Sequence, residues 1–251
     1  MGGSDAAAQL RGIDAAILAG GLGTRVARSL GDLPKAMAPA GGRPFLDHLL
    51  DWLYEQGVRR VVLCLGHGAG AILAHLENYP CRDLEIVCAV EPEPLGTAGG
   101  IAHARHLLSG DPALVLNGDT LVDIDLGAFV AAYRAAKWDA AIVCARVAGS
   151  RYGRVEIDAA DRIARFREKE ASDAGPGWIN AGVYLFGRAL LDGIAALGRG
   201  SLEHDVLERQ PPGSIGAFRT EGRFIDIGTP ETLAAIRDGV SVFAGAGELR
   251  P

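Results

Sequence analysis

The chain has 251 residues, 49% of them hydrophobic and 22% charged, enough to bury a sizeable core in one large α/β domain or a domain with a small lobe. Its formal net charge of −6, with no Lys/Arg block, disfavours nucleic acid or an anionic membrane surface as the main partner. The sequence opens without an apolar h-region and holds no run of the roughly 18 apolar residues a bilayer span requires, so the expected location is cytoplasmic.

Short β-like runs alternate with amphipathic helical stretches: 13–18, 45–56, 60–65, 70–78, 84–90, 98–108 and 113–117. That alternation predicts successive βαβ units and a largely parallel sheet. In the first helix Phe45, Leu49 and Leu53 recur at four-residue spacing beside Leu46 and Leu50, with Pro44 at its start, and this stripe is expected to pack on the sheet. A helix over 126–137 capped by Asp125 and a strand over 140–145 follow. From Tyr152 to Phe186 the chain reads as strands and turns, and helices return at 188–196, 203–209 and 231–238, the last with Thr229 as cap and Pro230 at its first position. Cys64, Cys81, Cys88 and Cys144 form no CxxC pair and read as core.

The first strand runs into LAGGLGTR at 18–25, where glycines let backbone amides approach an anion and Arg25 supplies a bidentate cation. The loop lacks the GK[ST] end of a P-loop, and Gly21, Gly23 and Val26 break the GxGxxG/A spacing of a dinucleotide fold, which weakens a dehydrogenase reading. Ten residues on, Lys35 stands between prolines, so that Arg25 and Lys35 could bracket a triphosphate; a glycine-rich turn with two solvated cations is the bland alternative. Asp119 ends an apolar strand in LNGDT, at the sheet edge where open α/β sheets place ligands, and Asp226 follows Phe224-Ile225. Hard carboxylates at two strand ends suit magnesium, although either alone also reads as a helix or turn cap. Asn180 and Gly182 interrupt an apolar strand, and a buried Asn needs partners that sugar hydroxyls would supply.

The strings LAGGLGTRV, PKA, EPEPLGTAGG, LNGDT, REKE, WINAGVYLF and FIDIGTPE, in this order over nearly the whole chain, resemble the sugar-1-phosphate nucleotidyltransferases, with Val26 and Ala36 departing from the family's LAGGxGTRL and PKP. The resemblance implies a Rossmann-like three-layer α/β sandwich with a mostly parallel central sheet, the nucleotide-diphospho-sugar transferase fold, and a small β-rich sugar-binding lobe. It implies one domain over 12–240, with 12–148 binding the nucleotide and 149–240 forming the sugar-binding and C-terminal part. By the same resemblance Arg25, Lys35 and Lys169 are catalytic, and Leu18, Ala19, Gly20, Gly21, Gly23, Thr24, Glu91, Gly96, Thr97 and Ala98 bind the nucleotide. Gly118, Tyr152, Gly153, Glu168, Asn180 and Gly182 would face the sugar, and Asp119 and Asp226 would hold Mg²⁺.

Within the family the strings are most similar to D-glycero-D-manno-heptose 1-phosphate guanylyltransferases, which join GTP to the sugar 1-phosphate for bacterial surface polysaccharides such as capsule or lipopolysaccharide. Mannose 1-phosphate guanylyltransferases and N-acetylmuramate 1-phosphate uridylyltransferases share them in variant form. A non-catalytic nucleotide-sugar sensor is the reading from another class; retention of Arg25, Lys35, Asp119, Lys169 and Asp226 together argues against it. A homo-oligomer is compatible with all of these readings.

Overall fold

The computed structural model describes residues 8–21, 30–31, 33–80, 83–149, 152–168 and 175–237. Its central sheet has seven strands, in the order β12-β8-β11-β6-β1-β4-β5. These are β1 (Ala15–Leu18), β4 (Arg60–Leu65), β5 (Glu85–Val90), β6 (Ala113–Asn117), β8 (Ala140–Val147), β11 (Gly177–Phe186) and β12 (Gly216–Thr220). β1 pairs in parallel with β4 and β6, β4 with β5, and β8 with β12, whereas β11 runs antiparallel to both β6 and β8. The expected mostly parallel sheet is present.

Period-2 alternation sends successive residues of β1 to opposite faces. Ala15 and Ile17 join Val61, Leu63, Leu114 and Leu116 on one face, under α1 (Phe45–Gln56) and α4 (Leu126–Ala135). Ala16 joins Val62, Cys64 and Val115 on the other, under α3 (Gly96–Ala104) and α5 (Arg188–Leu197). Helices on both faces explain why the central strands read as unbroken apolar runs. α1 buries Phe45, Leu46, Leu49, Leu50 and Leu53, the stripe seen in the sequence, but Pro44 is its N-cap residue and not the first helical one. Asp125 caps α4 as expected, accepting from Ala128 N at 2.9 Å. Between these elements lies α2 (Ala69–Leu76), and α6 (Pro230–Arg237) ends the described chain.

The start of β1 is pinned by charge. Asp14, 5% exposed, accepts at Oδ2 from Ser109 N (2.7 Å), Ser109 Oγ (2.9 Å), Gly110 N (3.1 Å) and the Arg60 guanidinium (3.1 Å), tying β1 to β4 and the loop before β6. Four charge-assisted donors on one oxygen set the depth of the sheet's edge relative to its neighbours.

Three features depart from the sequence reading. The 203–209 helix is a π-helical turn, Leu202–Leu207. Two two-residue strands, β2 (Pro39–Ala40) and β3 (Arg43–Pro44), form a hairpin before α1. β7 (Thr120–Val122) and β13 (Phe224–Asp226), three residues each, form an antiparallel ribbon outside the main sheet. In the β-rich region after Gly149, β9 (Arg154–Ile157) and β10 (Ile163–Arg167) form a separate hairpin, while β11 joins the central sheet.

Candidate active site

A cavity of about 470 Å³ opens at the carboxyl ends of β1, β4, β5 and β6. Register builds its floor: Leu18 stands opposite both Cys64 and Asn117, and all three line the cavity. The residues just past this row form the rim, with Ala19, Gly20 and Gly21 after β1, Glu91 after β5, and Gly118 and Asp119 after β6. Strands that stop together leave a crevice where their connections diverge, which is where ligands sit in such sheets.

Close backbone approach accounts for the glycines. A Cβ on Gly118 would lie 2.5 Å from Leu18 O, to which Gly118 N already donates at 2.9 Å; a Cβ on Gly20 would stand 3.0 Å from Gly66 N. Only glycine lets these turns meet edge to edge. Gly23, Thr24, Arg25 and Lys169 lie outside the described residues.

At one end of the cavity stands Glu91. Its Oε2 accepts from Leu95 N at 3.3 Å, and its Oε1 lies so close to Gly66 that a side chain there would overlap it. Desolvation pushes its carboxyl pKa up, against the opposing pull of the Leu95 amide, His103 and Arg199. Beneath it Cys64 is buried and its thiol pKa is raised to about 12 by desolvation and by Glu91, so it is an inert wall and not a nucleophile. Cys64 and Cys144 are buried core thiols as expected, Cys88 is partly exposed, and Cys81 lies outside the described residues.

At the other end Lys35 Nζ donates to Asp119 Oδ2 at 2.6 Å. Asp119 and Asp226, 107 positions apart by their numbering, are brought together by the β7–β13 ribbon: Asp226 pairs with Thr120, and Ile227 N donates to Asp119 O at 3.0 Å. A Cβ on Gly228 would lie 2.7 Å from Asp226 Oδ1 and 3.3 Å from Lys35 Nζ, so the ammonium and both carboxylates share one small volume. Among the described residues no group of three or more His, Cys, Asp or Glu side chains is placed to hold a metal. Two carboxylates fit Mg²⁺ nonetheless, because that ion keeps waters and substrate phosphates in its shell and commonly takes one or two protein carboxylates. The Lys35 ammonium already paired with Asp119 shows that the spot favours positive charge.

The segment resembling a base contact has a further task. Gly96 (φ +78°) and Thr97 line the cavity, but Thr97 Oγ1 accepts from Leu202 N at 2.7 Å, and Ala98 is buried with its N–H donating to Gly200 O at 2.9 Å. The Ala98 amide is thereby committed to the protein, and Ala98 does not line the cavity. Asn180 is also supplied from within: Oδ1 accepts from Gly182 N and Nδ2 donates to the Tyr184 hydroxyl, both at 2.9 Å, across the irregularity in β11. The premise that Asn180 lacks protein partners is therefore corrected. Gly182 (φ +73°) leaves room for Asn117 Nδ2 and Thr120 Oγ1, which a Cβ would meet at 2.7 and 2.5 Å. Tyr152 packs edge-on against Phe224, Gly153 sits where a Cβ would be 2.9 Å from Arg167 O, and Glu168 is exposed; none of the three lines the cavity.

Sequence reasoning missed Asn117, Tyr184 and Glu203, all in the cavity wall. Burial raises the Tyr184 hydroxyl pKa, with Glu203 adding to the rise while hydrogen bonds to Asn180 and Asn117 oppose it. Glu203 is exposed by area, since the open cavity admits solvent, yet the surrounding walls raise its carboxyl pKa, with Glu208 and Asp119 adding and His204 opposing.

A nucleotide-sized crevice at the sheet's carboxyl edge, with paired carboxylates and a lysine at one end, is the site of a nucleotidyltransferase. The Nucleotidyl transferase family model matches residues 14–238, and the chain belongs to that family. It is 33% identical over 223 residues to D-glycero-alpha-D-manno-heptose 1-phosphate guanylyltransferase of Campylobacter jejuni, covering 87% of this chain and 96% of that protein. To the mannose-1-phosphate guanylyltransferase of Mycobacterium tuberculosis it is 34% identical, over 87% of this chain but 62% of the relative. The crystal structure of HddC from Yersinia pseudotuberculosis superposes with a TM-score of 0.82 at 34% identity, over 90% of this chain and 98% of HddC; HddC has also been solved complexed with GMP-PN.

Proposed function

We propose that this enzyme joins GTP to D-glycero-D-manno-heptose 1-phosphate, releasing pyrophosphate and GDP-heptose for surface polysaccharide such as capsule or lipopolysaccharide, in the cytoplasm and within one domain over 12–240. The observation carrying the chemistry is the convergence of Lys35 and Asp119, which line one end of the cavity, with Asp226 beside them.

An oxygen of the sugar 1-phosphate forms a bond to the α-phosphorus as the bond from that phosphorus to the bridging oxygen breaks, and the electron pair leaves with pyrophosphate. The nucleophile is already an ionised phosphate, so no general base is needed and the protein's work is positioning and charge neutralisation. Asp119 and Asp226 would hold Mg²⁺, which when bound offsets charge on the phosphate oxygens of both substrates. Lys35 would release Asp119 to that ion and turn to the α-phosphate, with Lys169 at the sugar phosphate and Arg25, Gly23 and Thr24 at the leaving pyrophosphate.

Glu91 favours guanine. Its carboxylate can accept from both N1–H and the 2-amino group, whereas adenine presents an acceptor at the corresponding position and uracil a single donor between carbonyls. Gly20, Gly21, Gly96 and Thr97 would wrap the rest of the nucleoside, and Gly118, Asn180 and Gly182 the sugar side.

The resemblance to mannose-1-phosphate guanylyltransferases supports mannose 1-phosphate as the second reading. Pyrophosphate release measured over a matrix of four NTPs against heptose, mannose and N-acetylmuramate 1-phosphates, with Mg²⁺, tests both. The GTP and heptose 1-phosphate pair is expected to give the highest kcat/KM. A better mannose pair would replace the sugar, and no turnover with any pair would favour a nucleotide-sugar sensor.

A further inference from the structure

We propose that Glu203 determines sugar specificity by accepting hydrogen bonds from hydroxyls of the sugar 1-phosphate, an inference that rests on the nucleotidyltransferase reading above. Glu203 lines the cavity from the π-helical turn, beside Ser201 and Leu202.

That turn is fixed without any ligand. Leu202 N donates to Thr97 Oγ1, Ala98 N to Gly200 O and Gly200 N to Leu95 O, so two neighbouring segments are laced together at 2.7 to 2.9 Å. Ser201 N donates to Asp205 Oδ2 at 2.8 Å and Ser201 Oγ accepts from His204 N at 3.2 Å, closing the turn on itself. Leu202, Val206 and Leu207 are buried and anchor it to the core. A side chain carried on so determined a backbone is preorganised for recognition.

The chemistry of the substrates narrows what it recognises. A carboxylate repels phosphate, so the triphosphate and the sugar phosphate group are poor partners. The displacement needs no base, Asp119 and Asp226 would share the metal position, and Glu91 is the carboxylate proposed above for the nucleobase. Among the described residues no ion pair engages Glu203, and the groups acting on its charge are Asp119, Tyr184, Glu208 and His204. A neutral polyhydroxyl remains, for which a carboxylate is a strong acceptor. The Tyr184 hydroxyl, in the same wall and electrostatically coupled to Glu203, accepts from Asn180 Nδ2 at 2.9 Å and so ties this part of the wall to β11.

The test is steady-state kinetics of Glu203→Ala and of the isosteric Glu203→Gln, each substrate varied in turn, with circular dichroism confirming the fold. Glu203→Ala is expected to raise KM for the sugar 1-phosphate roughly 10- to 100-fold, the loss of a hydrogen bond to a charged group, with KM for the NTP unchanged. Glu203→Gln, keeping one acceptor, should fall between. Across a panel of monodeoxy sugar 1-phosphates, one analogue should bind wild type and Glu203→Ala equally. Unchanged constants, a rise confined to the NTP, or a raised Mg²⁺ requirement at constant sugar KM would each overturn the proposal. Failure of the wild type to turn over any sugar 1-phosphate would instead sink the underlying reading.

Discussion

Glu91 stands where β4 and β5 end side by side, and the site around it is made of backbone: Gly20 and Gly66 approach edge to edge, and the carboxylate fills the space a Gly66 side chain would need. Lys35 and Asp119 line the other end of the same cavity with Asp226 beside them, and the three arrive from separate places: a 3₁₀ turn (Lys35–Met37), the turn after β6, and the end of β13. On the proposed function one end would select by shape and a desolvated acceptor and the other would neutralise charge, and the difference predicts different failures. Damage at the charged end should reduce kcat, because those contacts strengthen as the phosphoryl group transfers; damage at the base end should mostly weaken nucleotide binding.

The largest effect is expected at the charged end. Asp119→Ala should lower kcat on the order of a thousandfold, and Lys35→Ala about a hundredfold or more, in pyrophosphate-release assays. Chelation by EDTA should abolish turnover, and added Mg²⁺ should restore it. Near-wild-type turnover by either variant would remove the charged end from the mechanism.

A smaller effect is expected from Gly66→Ala, whose new Cβ displaces the end of the flexible Glu91 side chain and presses on the Gly20 carbonyl at 3.0 Å, with circular dichroism to confirm the fold. KM for the NTP should rise roughly tenfold with kcat nearly intact. An equal fall in kcat would mean that the two ends are not separable.

The smallest effect is on stability. Burial raises the carboxyl pKa values of Glu91 and Glu203 above the ordinary 4.5, so the folded chain holds these protons more tightly than the unfolded one. Their contribution to stability is full below pH 4.5 and is lost as pH rises through the folded values. In thermal melts of the ligand-free protein from pH 4 to 7, the Glu91→Gln, Glu203→Gln double variant should show a flatter decline than wild type. Identical slopes would contradict the desolvation of both groups.

The same contrast explains what the sequence could tell. β1, α1, β4 and β6 announce themselves through local periodicity, and the glycine-rich turn and LNGDT follow from their position at strand ends. The β7–β13 ribbon was illegible: three residues pair with three across some hundred positions, a non-local event with no periodic signature. Asp226 was nominated by its strand end and its resemblance, but its meeting with Asp119 is the work of that ribbon. Glu203 lies in the charged run Glu203-His204-Asp205, which reads as an exposed helix, and only the lacing of 200–202 to α3 turns it toward the cavity. Asn180 has internal partners that its sequence context does not reveal, because the register irregularity in β11 brings Gly182 N and the Tyr184 hydroxyl within reach of it.

The central claim, that Asp119 and Asp226 act as one unit at the reaction centre, is tested most directly by single-turnover rates at saturating substrates and Mg²⁺. Asp119→Asn, Asp226→Asn and the double variant should be compared. Residues that hold one ion are strongly non-additive, so the double variant should be no more than a few-fold slower than the slower single. Losses that multiply, or an Asp226→Asn enzyme at wild-type rate, would show that the two carboxylates work apart.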